Sequence, residues 1–208
     1  MAKVIIELFC ADGIQEEELN RWKRWIRDRT KAAIFDNRVA GEANVDEHLV
    51  GVIADTHGLI RPEALVALNK SALIVHAGDI GDLCVLESLR AIAPLVAVRG
   101  NIDKGEWAQD LPESEIVEVA KTWLCVIHDI NNLDLDPVAA GFSAVISGHS
   151  HRPSIQTRNG VLLINPGSAG PRRFNLPVSV ALIEVKGGKV EPRLIELEVP
   201  TGVRAERH

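Results

Sequence analysis

Asp55-Thr-His57 closes one apolar run of the chain and Ser147-Gly-His149-Ser-His151 closes another. Between them come His76-Ala-Gly-Asp79, Arg99-Gly-Asn101 and Ile127-His128. Carboxylate, amide and imidazole groups are ligands for divalent cations, and a carboxylate with two oxygens can bridge a pair of them. Taken singly the signals are weak: Asp-x-His arises often by chance, and Asp79 and Asn101 also read as turn residues beside glycine. The conjunction is stronger. Asp55, His57, Asp79, Asn101, His128, His149 and His151 make three oxygen donors and four imidazoles. Seven ligands are too many for one ion and suit two that share Asp79. The mixture favours Mn, Fe, Co, Ni or Zn over Mg or Ca. Two such ions about 3.5–4 Å apart hold a hydroxide between them and clamp both oxygens of an in-line displacement at phosphorus. The spacing therefore predicts a two-metal hydrolytic site. His76, inside its apolar run, reads as a core histidine or as one that acts behind the ligands. Asp103 could orient Asn101 or a metal-bound water.

Parallel strands must bring these clusters to one sheet edge. Leu49–Ala54, Ala72–His76 and Pro94–Val98 read as short apolar strands. Helices between them are opened by Arg61-Pro62-Glu63, running to about Asn69, and by Asp82 as a cap, running to about Ile92. Strands alternating with helices indicate βαβ units and a parallel sheet. The second half is strand-rich: Ser114–Ala120, Trp123–Ile127, Ala144–Ser147, Ser154–Thr157, Val161–Ile164, Val178–Val185 and Val190–Leu197. Asn159-Gly160 and Lys186-Gly187-Gly188 read as hairpin turns. A second, mixed sheet packed on the first is expected.

The N-terminal segment, residues 1–47, has a different character. Val4–Phe9 suggests a short strand, Glu16 to about Ala33 an amphipathic helix, and Asn37–Asn44 a linker. Trp22 and Trp25 on that helix could dock a protein partner or a second copy of the chain, or the helix could pack on its own domain. Residues 48–200 form the catalytic domain in this reading, and 201–208 a tail. The formal charge of -6 over 208 residues argues against general nucleic-acid binding. Cys10, Cys84 and Cys125 form no CxxC pair and read as buried reduced thiols. No apolar run approaches the length of about 20 residues that spans a membrane. Val4-Ile5-Ile6, broken by Glu7, is too short and too charged for a secretory signal, so a cytoplasmic location is expected.

The ordered series Asp55-x-His57, Gly78-Asp79, Gly100-Asn101, His128 and Gly148-His149-x-His151 resembles the calcineurin-like metallophosphoesterase superfamily. It is most similar to the small single-domain phosphodiesterases of bacteria and archaea, which also carry a stretch like Asn165-Pro-Gly-Ser168 before Pro171-Arg172. The resemblance runs from about Leu49 to Leu197 and implies a four-layer α/β/β/α sandwich of two mixed sheets flanked by helices. It also implies a partition of the ligands. One metal would be held by Asp55, His57, Asp79 and His151, the other by Asp79, Asn101, His128 and His149. The implied activity is hydrolysis of a small or nucleotide-type phosphodiester by a metal-bridging hydroxide. Asp79, Asn101 and His128 are expected to carry the catalysis, and Mn is the first expectation for the metal. The same fold also serves as a non-catalytic docking scaffold, and a phosphomonoesterase is a further alternative. Two positions depart from the pattern. Ile102 replaces the histidine that many members carry after Gly-Asn, which favours diesters with good leaving groups. Asp129 replaces the usual glycine after His128 and could crowd the site or tune the His128 ring. Arg172 and Arg173 could reach a substrate phosphate or lie as a surface pair.

Overall fold

A computed structural model describes residues 33–34 and 47–199. The expected strand at Val4–Phe9, the Trp22/Trp25 helix before residue 33, the linker at Asn37–Asn44, Cys10 and the tail after Pro200 lie outside the described residues. Ala33, where the helix is expected to end, belongs instead to a short strand, β1 (Ala33–Ile34), which runs parallel to β5 (Ser114–Val119) with Ala33 opposite Val117.

The βαβ reading holds through the first half. β2 (Glu47–Ile53), β3 (Leu73–His76) and β4 (Leu95–Ala97) are parallel neighbours. Helix α1 (Pro62–Leu68) starts with proline in its first turn, where the missing N–H has no intrahelical partner to lose. Helix α2 (Leu83–Arg90) is capped by Asp82, whose side chain accepts the Cys84 N–H at 2.8 Å. Cys84 is exposed there rather than buried, because the amphipathic face of α2 is carried by Val85, Leu86 and Leu89; Cys125 is buried.

Two mixed sheets result. The five-stranded sheet has the order β11-β10-β2-β3-β4, with β10 (Ser179–Lys186) and β11 (Lys189–Glu196) antiparallel to their neighbours. The six-stranded sheet has the order β1-β5-β6-β7-β9-β8, from β6 (Thr122–Ile127), β7 (Ala144–Ile146), β8 (Ser154–Arg158) and β9 (Val161–Asn165). Small and β-branched side chains fill the space between the sheets: Val50, Val52 and Val75 from one, Val126, Ala144 and Ile146 from the other. A second core packs α1 and α2 onto the outer face of the five-stranded sheet through Leu68, Leu86 and Leu89 against Ile53 and Ile74. The architecture is an α/β sandwich. Among the described residues, the link from β6 to β7 carries only a 3-10 turn, Ile130–Asn132.

Turns set the registers. Asn159 and Gly160 both have positive φ, as do Gly187 and Gly188, which suits the right-handed twist of a two-residue hairpin. Ala120 and Lys121 make the β5–β6 turn with φ of 48° and 63°, although neither residue type signals it. Because β2, β3, β4, β6 and β7 run the same way within their sheets, the loops after them gather at one end of the sandwich. Ligands bind at that edge in open α/β sheets.

Candidate metal centre

The loop after β2 and the loop after β3 lie side by side. Asp55 N–H donates to Gly78 O, His57 N–H to Asp79 O and Gly58 N–H to Ile80 O, at 2.7–3.0 Å. A side-chain pair ties them further. The Thr56 hydroxyl donates its proton to Ile80 O at 2.9 Å, so it must accept from His76 Nε2, also at 2.9 Å. His76 Nδ1 then accepts the Gly78 N–H at 3.2 Å. Both nitrogens of His76 are thus used inside the protein. Burial pushes its imidazole down to about 3, with the nearby charge of His128 adding, so the ring is neutral. His76 sits behind the site and braces it.

Asp103 braces the next loop. Its carboxylate accepts the N–H groups of Ile80 at 3.2 Å, Gly81 at 2.8 Å and Gly100 at 2.8 Å. It therefore fixes backbone and makes no hydrogen bond to the Asn101 side chain that it could have oriented. Gly100 is required by space: a Cβ there would overlap the Asp79 N and Oδ1 atoms. Gly78 combines a φ of +85° with the His128 ring 2.7 Å from where its Cβ would stand.

Asn165 and Ser168 were not assigned a role from sequence, and they hold the opposite wall. Asn165 Nδ2 donates to Gly148 O at 2.6 Å and to Ser150 Oγ at 3.1 Å, pinning the loop that carries His149 and His151. Ser168 Oγ donates to Asp55 O at 2.8 Å. The Asn-Pro-Gly-Ser stretch was the available signal, since its side chains can bond backbone two or more residues away.

Asp55, His57, Asp79, His149 and His151 all have positive φ, between 48° and 66°. A left-handed conformation is uncommon for residues with a side chain and clusters at functional sites. It turns each of these side chains out of its strand's alternation and toward a common centre.

The donors do converge. His57 Nε2 and His151 Nε2 are 3.3 Å apart with their rings stacked. His151 Nε2 is 3.5 Å from Asp55 Oδ1. Asp79 stands between two groups, with Oδ2 3.8 Å from His57 Nε2 and Oδ1 3.3 Å from His128 Nε2. Asn101 Oδ1 is 3.0 Å from His128 Nε2 and 3.1 Å from His149 Nδ1. By proximity alone, Asp55–His57–His151 and Asp55–Asp79–His128 are two groups able to hold an ion. These groups share Asp55, whereas the two oxygens of Asp79 face both histidine clusters.

A cation fits the donor set on chemical grounds. His128 Nδ1 donates to Ala77 O at 2.8 Å, which leaves Nε2 as a lone pair aimed at two acceptor oxygens. Such an arrangement is repulsive unless a proton or a cation lies between. Asp55 Oδ2 is buried without a hydrogen-bond partner, and so is His151 Nδ1. An orphaned buried carboxylate oxygen is costly and calls for a positive charge. The site is a divalent metal site by its residues.

The titration pattern agrees. Burial pushes Asp55 up to about 7, with the Asp79 charge adding and His128 opposing. For Asp79, burial acts upward but the His128 hydrogen bond and charge prevail, and its carboxyl lies below the ordinary range. For His128, burial acts downward, yet the Asp79 and Ala77 hydrogen bonds win and its pKa is raised. His151 is pushed down to about 4 by burial and by Arg173. A cation must displace the Asp55 proton below about pH 7. His128, with its raised pKa, must give up a proton as well, so apparent metal affinity should fall by at least about tenfold per pH unit on acidification below that value. Calorimetric titration of the metal-free protein at several pH values measures this, and an affinity independent of pH between about 5 and 7 would refute it.

The flanking residues divide. Arg173 Nη2 lies 3.4 Å from His57 Nε2, at the mouth of the site. Arg172 is exposed, as is its backbone neighbour Pro171. Ile102 is partly exposed, and its backbone N–H donates to Asp79 Oδ1 at 3.1 Å. The Asp129 carboxylate does not approach the His128 ring in the way anticipated; its Oδ2 lies 3.8 Å from His149 Nε2 instead.

Known proteins are similar to this chain in sequence and in fold. A probable metallophosphoesterase of Methanocaldococcus jannaschii is 37% identical over 72% of this chain and 82% of its own length. One from Methanothermobacter thermautotrophicus is 33% identical over 73% of this chain and 94% of its own. Among solved structures, an archaeal phosphodiesterase aligns with a TM-score of 0.57 at 22% identity, covering 71% of this chain and 99% of that one. Zinc-complexed Vps29 from Entamoeba histolytica aligns with a TM-score of 0.53 at 24% identity, covering 71% and 98%. Those structural likenesses carry the fold alone. Residues 49–188 match the calcineurin-like phosphoesterase superfamily domain, the same stretch that builds the two sheets and the loops gathered at their edge, and the chain belongs to that superfamily.

Proposed function

We propose that the chain is a two-metal phosphodiesterase acting on a small or nucleotide-type phosphodiester. The observation that supports this best is the position of Asp79, with one oxygen toward His57 and the other toward His128. Asp55, His57, Asp79 and His151 would hold one divalent ion, and Asp79, Asn101, His128 and His149 the other. Mn is the first candidate, with Ni, Fe, Co or Zn as alternatives. Bound there, such a pair supplies Lewis-acid charge for the phosphoryl oxygens and lowers the pKa of a water for in-line attack.

The chain's own residues do the rest. Asp103, His76 and Thr56 hold the donor loops rigid, so little reorganisation accompanies the reaction. Arg173 presents a guanidinium at the mouth, suited to a phosphate oxygen that the cations leave free. Ile102 offers no transferable proton where a leaving oxygen would depart. Diesters with acidic leaving alcohols need none, which places them ahead of monoesters. A docking role on the same fold is the second reading. The complete set of donor residues weighs against it.

The test is hydrolysis of an activated aryl phosphodiester by chelator-stripped protein titrated with Mn, Ni, Co, Zn or Mg, with the matching monoester in parallel. Turnover should rise with Mn, saturate near two ions per chain, and be faster on the diester. Tight binding of metal with no turnover of either ester would move the weight to docking. A faster monoester rate would reverse the substrate order.

A further inference from the structure

We infer that Asp129 is a positioning residue for His149, its carboxylate charge favouring the ring proton on Nε2 so that the Nδ1 lone pair stays turned toward Asn101. The inference rests on the metal-dependent reading above. Asp129 is itself firmly placed. One oxygen, Oδ1, accepts the Asn131 backbone N–H at 3.0 Å and the Asn131 Nδ2 at 2.9 Å, which caps the short turn Ile130–Asn132. The other oxygen, Oδ2, faces His149 Nε2 at 3.8 Å. On the far side of the ring, His149 Nδ1 stands 3.1 Å from Asn101 Oδ1.

The imidazole thus lies between two acceptors, and its neutral form has one proton to give. If the proton sits on Nδ1, it bonds the Asn101 amide oxygen and occupies the nitrogen that a cation would need. If it sits on Nε2, it faces a carboxylate, the stronger acceptor, and Nδ1 is free. The His149 side chain is 47% exposed, so packing alone does not choose. At 3.8 Å the carboxylate lies beyond hydrogen-bond distance and acts on the ring through its charge. The Asp129 charge decides the tautomer, as outer carboxylates do for metal-ligating histidines generally.

The pairing is read directly from long-range proton–nitrogen correlations of the His149 ring in metal-free protein at about pH 8.5, well above the usual imidazole pKa of about 6.5. The substitution is Asp129→Asn. Its Oδ1 still accepts from Asn131, and asparagine is as good a cap as aspartate, so the turn is kept. Its amide NH₂ would face Nε2 and favour the proton on Nδ1. We expect Nε2–H in the wild type and Nδ1–H in D129N. Affinity for Mn or Zn alone, measured by competition with a chelating dye, should fall about 10–100-fold. In a His149→Ala background the same substitution should cost little further affinity. The same tautomer in both proteins overturns the inference, as does an equal affinity loss with and without His149, which would mark Asp129 as a remote negative charge only. If the wild type binds neither ion, the metal-dependent reading falls, and the tautomer comparison still decides the pairing.

Discussion

Asp79→Asn should give a folded protein whose metal-dependent diester hydrolysis is reduced by about 10³-fold or more. The substitution preserves shape. The new amide oxygen can still accept the Ile102 N–H that Asp79 Oδ1 accepts at 3.1 Å. Gly100, packed against the Asp79 backbone and Oδ1, meets a side chain of the same size. Charge is what is lost, between His57 on one side and His128 on the other. Cation-derived stabilisation of the transition state is worth several kcal/mol, and each 1.36 kcal/mol is about tenfold in rate. Steady-state kcat/KM with saturating Mn, beside a thermal melt of the metal-free protein, measures both sides. The melt should fall only modestly, because the amide keeps the hydrogen bond from Ile102, while the His128 charge that holds Asp79 below the ordinary carboxylate range loses its partner. Wild-type turnover in this variant would remove Asp79 from the chemistry.

His76→Ala should destabilise the protein by about 3–5 kcal/mol without touching any proposed ligand. The ring is fully buried, and its loss leaves the Thr56 hydroxyl and the Gly78 N–H without their partner. Each buried polar group so stranded costs about 1–3 kcal/mol, and the cavity adds to that. Urea unfolding should show a lower midpoint with an unchanged slope. The pH dependence has a definite sign. The folded pKa of His76, about 3, lies below its value in the unfolded chain, so its contribution is present above about pH 6.5 and is lost as pH falls toward 3. The gap between wild type and variant should therefore narrow on acidification. A variant within about 0.5 kcal/mol of wild type at neutral pH would show that His76 is not a brace.

Local chemistry in the sequence reached a long way into this fold. Pro62 and Asp82 mark the starts of α1 and α2, and the Asn159-Gly160 and Gly187-Gly188 pairs mark two hairpins. Each is a property of one or two residues, so the chain displays it openly. The β5–β6 turn at Ala120-Lys121 was invisible because tertiary pairing, not residue preference, holds both in left-handed backbone. The placement of β9 between β7 and β8 depends on long-range registers that no local pattern encodes. The donor residues were legible because metal ligands come from few residue types and follow strands. Their supports were less so. Thr56, Asn165 and Ser168 are ordinary polar residues whose bracing partners across the site lie 15 or more positions away, and Asp103 turned to three backbone N–H groups rather than to Asn101. Which nitrogen faces which oxygen, as at Asp129 and His149, is decided by ångström-scale loop geometry.

The left-handed backbone at Asp55, His57, Asp79, His149 and His151 has a consequence for how such a protein ages in evolution. Aspartate, asparagine and histidine enter that region more readily than other residues with a side chain, and glycine enters it freely. The backbone of these loops therefore restricts what can follow once the chemistry is released: a branched or bulky side chain would strain the turn, whereas asparagine or glycine would keep it. A lineage that lost catalysis would be expected to drift first to asparagine or glycine at these five positions, with the sandwich around them intact.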